Sequence, residues 1–542
     1  QNMDITHAGY LFHCERVIRA MMEHIKDVPH IIGFQLDNET KSYGTAGLRV
    51  QAMFVDYLKE KYPDINEFNR EFGLDYWSNR VNTWEDFPDV RGTINGSLGA
   101  EFEKYQRSLV EEFLGWQAAI VSEYKREDQF ITHNLDFEWR GYSYGVQPAN
   151  NHFEIAKEAL TVAGCDIYHP TQDELTGAEI AFGGDMTRSL KQNNYFVLET
   201  EAQGYPCWTP YPGQLRQQAF SHVASGAALV EYWHWHSIHN AIESYWKGVL
   251  SHDLRPNRLY KECSVIGNEL KKYGHRLVNL KKTNRFAVIA DNASLTGLNE
   301  FKLNNESDSN YNTVFRWLCD ALYLMNIEYD VIPADPALFA SYENILVPAL
   351  YSATDEVLNA LNEFVANGGN MVVTFKSAFS DEHLKIRHDV QPYIINKALG
   401  IQYDEFTLPD NVTVSCGGKS SKARDWMEMV DCTTATPVAM YEHKHWGVHA
   451  AITENSYGKG RAMYLATLFG EDTLIEALKL FFGEQKNEFD ASYPVVIKRG
   501  TNMQGEKYII CLTTRMMSRL LPAMQTVSRS FAMTVQYQQA IV

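Results

Sequence analysis

Up to about residue 280, short apolar runs alternate with longer amphipathic stretches. The runs are 30–39 (HIIGFQLDNE), 129–134 (QFITHN), 164–170 (GCDIYHP), 195–201 (YFVLETE) and 228–237 (ALVEYWHWHS). Between them, positions 46–61, 101–126 and 214–225 repeat apolar residues at helical spacing, and a similar pattern covers roughly 8–26. Strand then helix, repeated, predicts a parallel sheet, either doubly wound or closed into a barrel. Several runs end in polar or ionisable residues: Asp37-Asn38-Glu39, His133-Asn134, Tyr168-His169, Glu199 and His234 to Ser237. A (β/α)8 TIM barrel carries its chemistry at the C-terminal ends of its strands, so this pattern favours the barrel. Five strands are readable, which makes them strands 4–8, with the first three expected upstream of Gln1.

From about residue 285 the pattern changes. Apolar runs at 285–294, 327–335, 344–350 and 368–375 alternate with helical patterns at 311–326 and 353–367. This predicts a smaller, doubly wound domain of flavodoxin or Rossmann type. Its first strand is not followed by G-x-G-x-x-G, so no dinucleotide site is expected. The stretch 457–467 reads as a hairpin-like pair closing that domain, and a β-hairpin from about 490 opens a third, small β domain. The expected organisation is a partial barrel over 1–280, an α/β domain over 285–480 and a truncated β domain over 490–542.

A length of 542 residues fits about three domains at roughly 150 residues each. The 49 Lys and Arg against 68 Asp and Glu give a net charge of −19, which argues against a nucleic-acid partner. No run approaches the roughly 18–20 apolar residues of a membrane-spanning helix. The eight cysteines are scattered and contain no Cys-x-x-Cys pair, so neither a zinc knuckle nor a redox dithiol is readable. Reduced thiols and a cytoplasmic location are the corresponding expectation. Aromatic residues reach 13%, with 11 Trp and 30 Tyr. Such rings offer flat faces on which sugars stack, and they also fill cores; composition alone does not choose.

Two carboxylates at strand ends dominate the candidate chemistry. Glu39 follows one apolar strand behind Asn38, and Glu199 ends another. Retaining glycosidases need two carboxyl groups about 5–5.5 Å apart across the scissile bond, and two strands of one barrel can present such a pair. Glu201 is a rival that shares a face with Glu199, but the apolar run ends at Leu198 and favours Glu199.

The segments around both glutamates resemble glycoside hydrolase family 42, the β-galactosidases. IIGFQLDNE resembles the family's strand-four acid/base motif, and YFVLETEAQGYPCWTPYPGQLRQQAFSHVASGA its strand-seven nucleophile segment. The stretches 68–88 and 237–253 are similar to further family segments, and the second domain to the family's trimerisation domain. The resemblance implies Glu39 as general acid/base and Glu199 as nucleophile. It implies that Asn38 bonds the sugar 2-hydroxyl, that Trp208 packs on the galactose ring and that Glu243 accepts from distal hydroxyls. Tyr168 and Trp246 complete the substrate-binding set; Trp246 stands where many relatives carry a histidine. It further implies a terminal β-D-galactoside as substrate, no cofactor, and a homotrimer for the full-length protein.

The zinc-binding cysteine cluster of some relatives has no counterpart in the loop after Glu39, so no metal is expected there. His234, His236 and His239 are read as polar pocket lining in preference to a metal site. The tail departs from the family: 512–519, back-translated and read in another frame, gives the family-like Asn-Tyr-Ser-Asp-Asp-Glu, which points to a frameshift near Leu512. With three strands lacking, the intact parent is expected to be the enzyme and this chain to be poorly active. An α-L-arabinopyranosidase on the same site, or a non-catalytic sugar-binding protein, are the alternative readings.

Overall fold

The computed structural model describes residues 3–140, 143–204, 209–485, 487, 490–513 and 532–535. The five apolar runs of the first half become a chain of parallel strands. Gly33–Gln35 pairs with Phe130–Thr132, whose continuation Asn134–Leu135 pairs with Gly164–Asp166. Tyr195–Glu201 comes next and Ala227–Trp233 follows it, again in parallel. Spatial order follows sequence order, as in a barrel wall. Among the described residues, no strand joins Ala227–Trp233 back to Gly33–Gln35.

Helices connect these strands where their caps allow. Asn95 accepts from the Leu98 N–H to start Gly96–Ser122, several residues earlier than the apolar pattern predicts. Asn151 does the same for His152–Ala159. One glycine sets the spacing at the future site. A Cβ on Gly164 would lie 2.6 Å from Thr132 Oγ1 and 2.8 Å from the His133 carbonyl, so only glycine lets these two strands approach. Two residues later that strand ends at Asp166.

The second half holds a nine-stranded mixed sheet. Tyr329–Ile332, Phe286–Ile289, Asn344–Val347, Asn370–Thr374 and Gly460–Leu465 run parallel. Ala450–Tyr457, Thr436–Glu442, Thr413–Cys416 and Lys419–Lys422 extend it antiparallel. The doubly wound reading describes only the parallel part. The stretch read as a hairpin-like pair at 457–467 is mainly the second arm of a hairpin, Gly460–Leu465; its first arm is Ala450–Tyr457 and its turn contains Gly458. Val495–Thr501 and Lys507–Thr513 form the expected C-terminal hairpin, to which the backbone of Ala532–Val535 adds a parallel strand. The frameshift reading falls mostly on residues outside the described ones.

The two halves share one apolar core. Ile167, Phe182 and Val197 of the first sheet region are buried in the same cluster as Val288, Tyr311 and Phe315. Buried ion pairs cross the same seam: Arg188 to Asp330 at 2.5 Å, and Lys498 of the C-terminal hairpin to Asp185 at 3.1 Å. Among the described residues, no helix is long and apolar enough to cross a membrane.

Candidate active site

The C-terminal ends of the parallel strands converge on one polar cluster, and the end of Phe130–Leu135 organises it. The chain after Gln35 turns sharply, with Asp37 and Glu39 in left-handed backbone (φ 39° and 41°). Non-glycine residues hold that conformation only where neighbours over-determine it. Here they do. Asn134 Oδ1 accepts from the Glu39 N–H at 3.0 Å and from Gln35 Nε2 at 3.1 Å. His133 Nε2 accepts from the Thr40 N–H at 3.2 Å. Its Nδ1 therefore carries the proton and donates to the Leu36 carbonyl at 2.5 Å. Burial pushes the His133 pKa down and keeps this tautomer neutral.

The Asn134 amide nitrogen faces the other way. It donates to Asp166 Oδ2 at 2.8 Å, to Asn38 Oδ1 at 2.9 Å and, more weakly, to Glu199 Oε1 at 3.3 Å. A register shift between Cys165 and Asp166 places Asp166 opposite Glu199 on the neighbouring strand. The Tyr168 hydroxyl donates to Glu199 Oε2 at 2.7 Å, and the Trp246 ring stands edge-on to Tyr168 at 5.2 Å. The result is a carboxyl trio: one oxygen each of Glu39, Asp166 and Glu199 lie within 4.8 Å of one another.

Three carboxyl groups so close cannot all be ionised cheaply. Burial pushes the Glu39 pKa up, Lys41 opposes this, and the charge of Glu199 adds to the rise. Burial also raises Glu199, against the hydrogen bonds from Tyr168 and Asn134. Asp166, almost fully buried, is driven far above the usual carboxylate range by burial and then by Glu199 and Glu39. Lys41 forms an ion pair with Asp136, which burial lifts to about 6. The trio has the spacing to hold a cation. In this structure Asn134 and Tyr168 already supply donors to two of its members.

Among the other sequence-derived candidates, Glu243 is exposed in a turn, and its charge reaches Glu39 and Glu199. Trp246 N–H donates to the Glu243 carbonyl at 2.8 Å, so the two candidates share that turn. The rings of His234, His236 and His239 follow one another at 5.9 and 6.1 Å, and His236 and His239 face backbone carbonyls. Trp208 lies outside the described residues. Glu201 does not reach the trio: it is buried, accepting from the His169 N–H at 3.3 Å and the Thr200 hydroxyl at 3.4 Å. Asp166 and Lys41 carry no local sequence signal that singles them out, whereas His133-Asn134 stands out as a polar strand end.

Comparison with known proteins follows the same lines. A family profile described as "Beta-galactosidase", that of glycoside hydrolase family 42, matches residues 1–273, and one described as "Beta-galactosidase trimerisation domain" matches 284–504. The chain is 26% identical over 495 residues to β-galactosidase BgaA of Clostridium cellulovorans, covering 88% of this chain and 73% of that one. It is 25% identical over 471 residues to LacA of Lactobacillus acidophilus, covering 83% and 68%. Among solved structures, the β-galactosidase from Bacillus circulans sp. alkalophilus superposes with a TM-score of 0.84 at 22% identity, over 94% of this chain and 77% of that one. A catalytic variant of Gan42B from G. stearothermophilus gives the same score at 21% identity, over 92% and 75%. The chain belongs to glycoside hydrolase family 42, the retaining β-galactosidases, with that family's TIM-barrel catalytic domain followed by its trimerisation domain.

Proposed function

We propose that Glu199 and Glu39 are the nucleophile and the general acid/base of this chain, acting on terminal, non-reducing β-D-galactosides. One observation carries the assignment: an oxygen of each carboxyl lies within 4.8 Å of the other, Glu39 from the turn after Gly33–Gln35 and Glu199 from the last residues of Tyr195–Glu201, close to the separation a double-displacement mechanism uses. Glu199 is held by Tyr168, a donor that favours the ionised form a nucleophile needs. Burial raises the pKa of Glu39, as an acid requires. In the first step Glu199 attacks the anomeric carbon while Glu39 protonates the departing oxygen. In the second, Glu39 takes a proton from water, which displaces Glu199 and releases galactose with retained configuration.

Asn38, Glu243, Tyr168 and Trp246 ring the same cluster and are proposed to hold the sugar, with Trp208 as its stacking face. The barrel reading with strands 4–8 in this chain, the bounds 1–280, 285–480 and 490–542, and a homotrimer built through the second domain belong to the same proposal. The direct test traps the intermediate. A 2-deoxy-2-fluoro galactoside should label Glu199, located by peptide mass spectrometry. Glu39→Ala should spare activated aryl galactosides relative to poor leaving groups, and azide should rescue it as the β-galactosyl azide. Label on Glu201, or equal loss on good and poor leaving groups, would overturn the assignment.

A further inference from the structure

We infer that Asp166 stands as a neutral carboxylic acid between Glu39 and Glu199 and donates its hydrogen bond to Glu39. There it acts as a positioning residue for the acid/base. The inference rests on the catalytic pair assigned above and adds a third member to it.

The hydrogen-bond inventory of Asp166 leads to this state. Oδ2 accepts from the Asn134 amide at 2.8 Å. Oδ1 is buried and, among the described residues, has no hydrogen-bond donor. On an ionised Asp166 that oxygen would be a desolvated, unpaired charge beside two further carboxyls, a costly arrangement. On a neutral Asp166 it becomes a hydroxyl, and a donor needs an acceptor. Glu39 supplies one: an oxygen of its carboxyl lies within 4.8 Å of one of Asp166, and a hydrogen bond from Asp166 favours Glu39 in its ionised form.

The charged and titratable surroundings point the same way. Glu199 faces Asp166 from the neighbouring strand and Glu39 from the pinned loop, with Asp136 farther off on the chain after Asn134. Tyr168, two residues along, gives its hydroxyl to Glu199. Glu243 adds negative charge from the opposite turn. The nearby cation, Lys41, is paired with Asp136. Among the described residues Asp166 makes no ion pair.

The proton balance closes without any added reagent. The resting site holds two protons on three carboxyls: one on Glu39, one on Asp166, none on Glu199. When the glycosidic bond breaks, the Glu39 O–H bond breaks with it and the proton goes to the leaving oxygen. Asp166 keeps its own proton and strengthens its hydrogen bond to the new Glu39 carboxylate. When water attacks, Glu39 regains a proton and the starting distribution returns. Asp166 thus lowers the cost of the charge on Glu39 without giving up a proton.

Two variants and one spectrum test this. Asparagine copies the neutral acid, with one oxygen to accept from Asn134 and one N–H to donate to Glu39. Asp166→Asn should keep kcat/KM for aryl galactosides within about threefold, with both limbs of its pH profile unmoved. Asp166→Ala removes the donor, so Glu39 should ionise less readily, and its basic limb should rise by about one pH unit. If Asp166 were ionised, both substitutions would remove a negative neighbour and the basic limb would fall. That fall overturns the inference, and so does a loss of activity in Asp166→Ala with no movement of either limb. Difference infrared spectroscopy of the full chain at pH 7, wild type minus Asp166→Asn, should show a protonated carboxyl band. Its absence also overturns the inference, and this readout stands even where Asp166→Ala fails to fold. Failure of azide rescue in Glu39→Ala would bring down the catalytic pair instead, leaving the protonation of Asp166 decided by the spectrum.

Discussion

Tyr168→Phe isolates one hydrogen bond at the proposed nucleophile. The substitution removes only the hydroxyl that donates to Glu199 Oε2 at 2.7 Å, and it keeps the ring that Trp246 packs against at 5.2 Å. A hydrogen bond to a charged group contributes about 1.5–3 kcal/mol. The lower end applies here, because Glu199 is only half-buried and keeps the weaker Asn134 contact at 3.3 Å, so water can partly replace the lost donor. The bond favours the ionised carboxylate over the acid, so its loss raises the Glu199 pKa. At 1.36 kcal/mol per unit, about 1.5 kcal/mol corresponds to a rise of about one unit. The nucleophile must be ionised in the free enzyme, so the acid limb of kcat/KM should move up by about one pH unit. On the plateau above that limb the rate should change far less. The assay is kcat/KM for an aryl galactoside from pH 4 to 9, with 2-deoxy-2-fluoro galactoside labelling as a second readout of nucleophile ionisation. The three carboxyls titrate together, so the limb belongs to the cluster, but the direction of its shift does not depend on that. A uniform fall across the whole range with the acid limb unmoved would refute the reasoning, because Tyr168 would then be packing and not tuning Glu199.

Three further outcomes follow from the same structure. Glu199→Gln should raise thermal stability at pH 7 and leave it unchanged near pH 4: the folded-state pKa is raised, so the wild type loses stability as pH climbs above the ordinary value of 4.5, a loss the amide cannot suffer; equal melting shifts at both pH values would count against it. Lys41→Met should move the basic limb of kcat/KM upward, since the Lys41 charge favours ionised Glu39, and a downward shift in the pH profile would contradict that electrostatic picture. Lys498→Met should cost about 3 kcal/mol in denaturant unfolding by leaving a buried Asp185 carboxylate short of a partner, with Arg188 at 3.8 Å limiting the loss; pairing it with Asp185→Leu should recover most of that stability.

What could be read from the chain follows from where physical constraints are local. Glu39 and Glu199 are legible because each follows an apolar run, and a charge at that point must face either solvent or a site. His133-Asn134 is legible as a strand end for the same reason, but nothing local says that Asn134 reaches Glu39, Asp166 and Glu199. That role arises only when Gly33–Gln35 pairs with Phe130–Thr132 and brings residues almost a hundred positions apart within 3.0 Å. Asp166 was hidden inside the apolar run GCDIYHP, where it reads as an interruption. Its place opposite Glu199 depends on a register shift that alternation cannot predict, and on Gly164 admitting a close strand approach. The same logic separates the two parts of the second sheet. Among its parallel strands, Phe286–Ile289 is buried on both faces and apolar at every position. The antiparallel extension ends in strands such as Lys419–Lys422, polar at every position, which carry no pattern to read. The proposed catalytic pair thus sits where sequence speaks locally. Asn134, Asp166 and Tyr168, which lie against it, are brought together only by the pairing of strands.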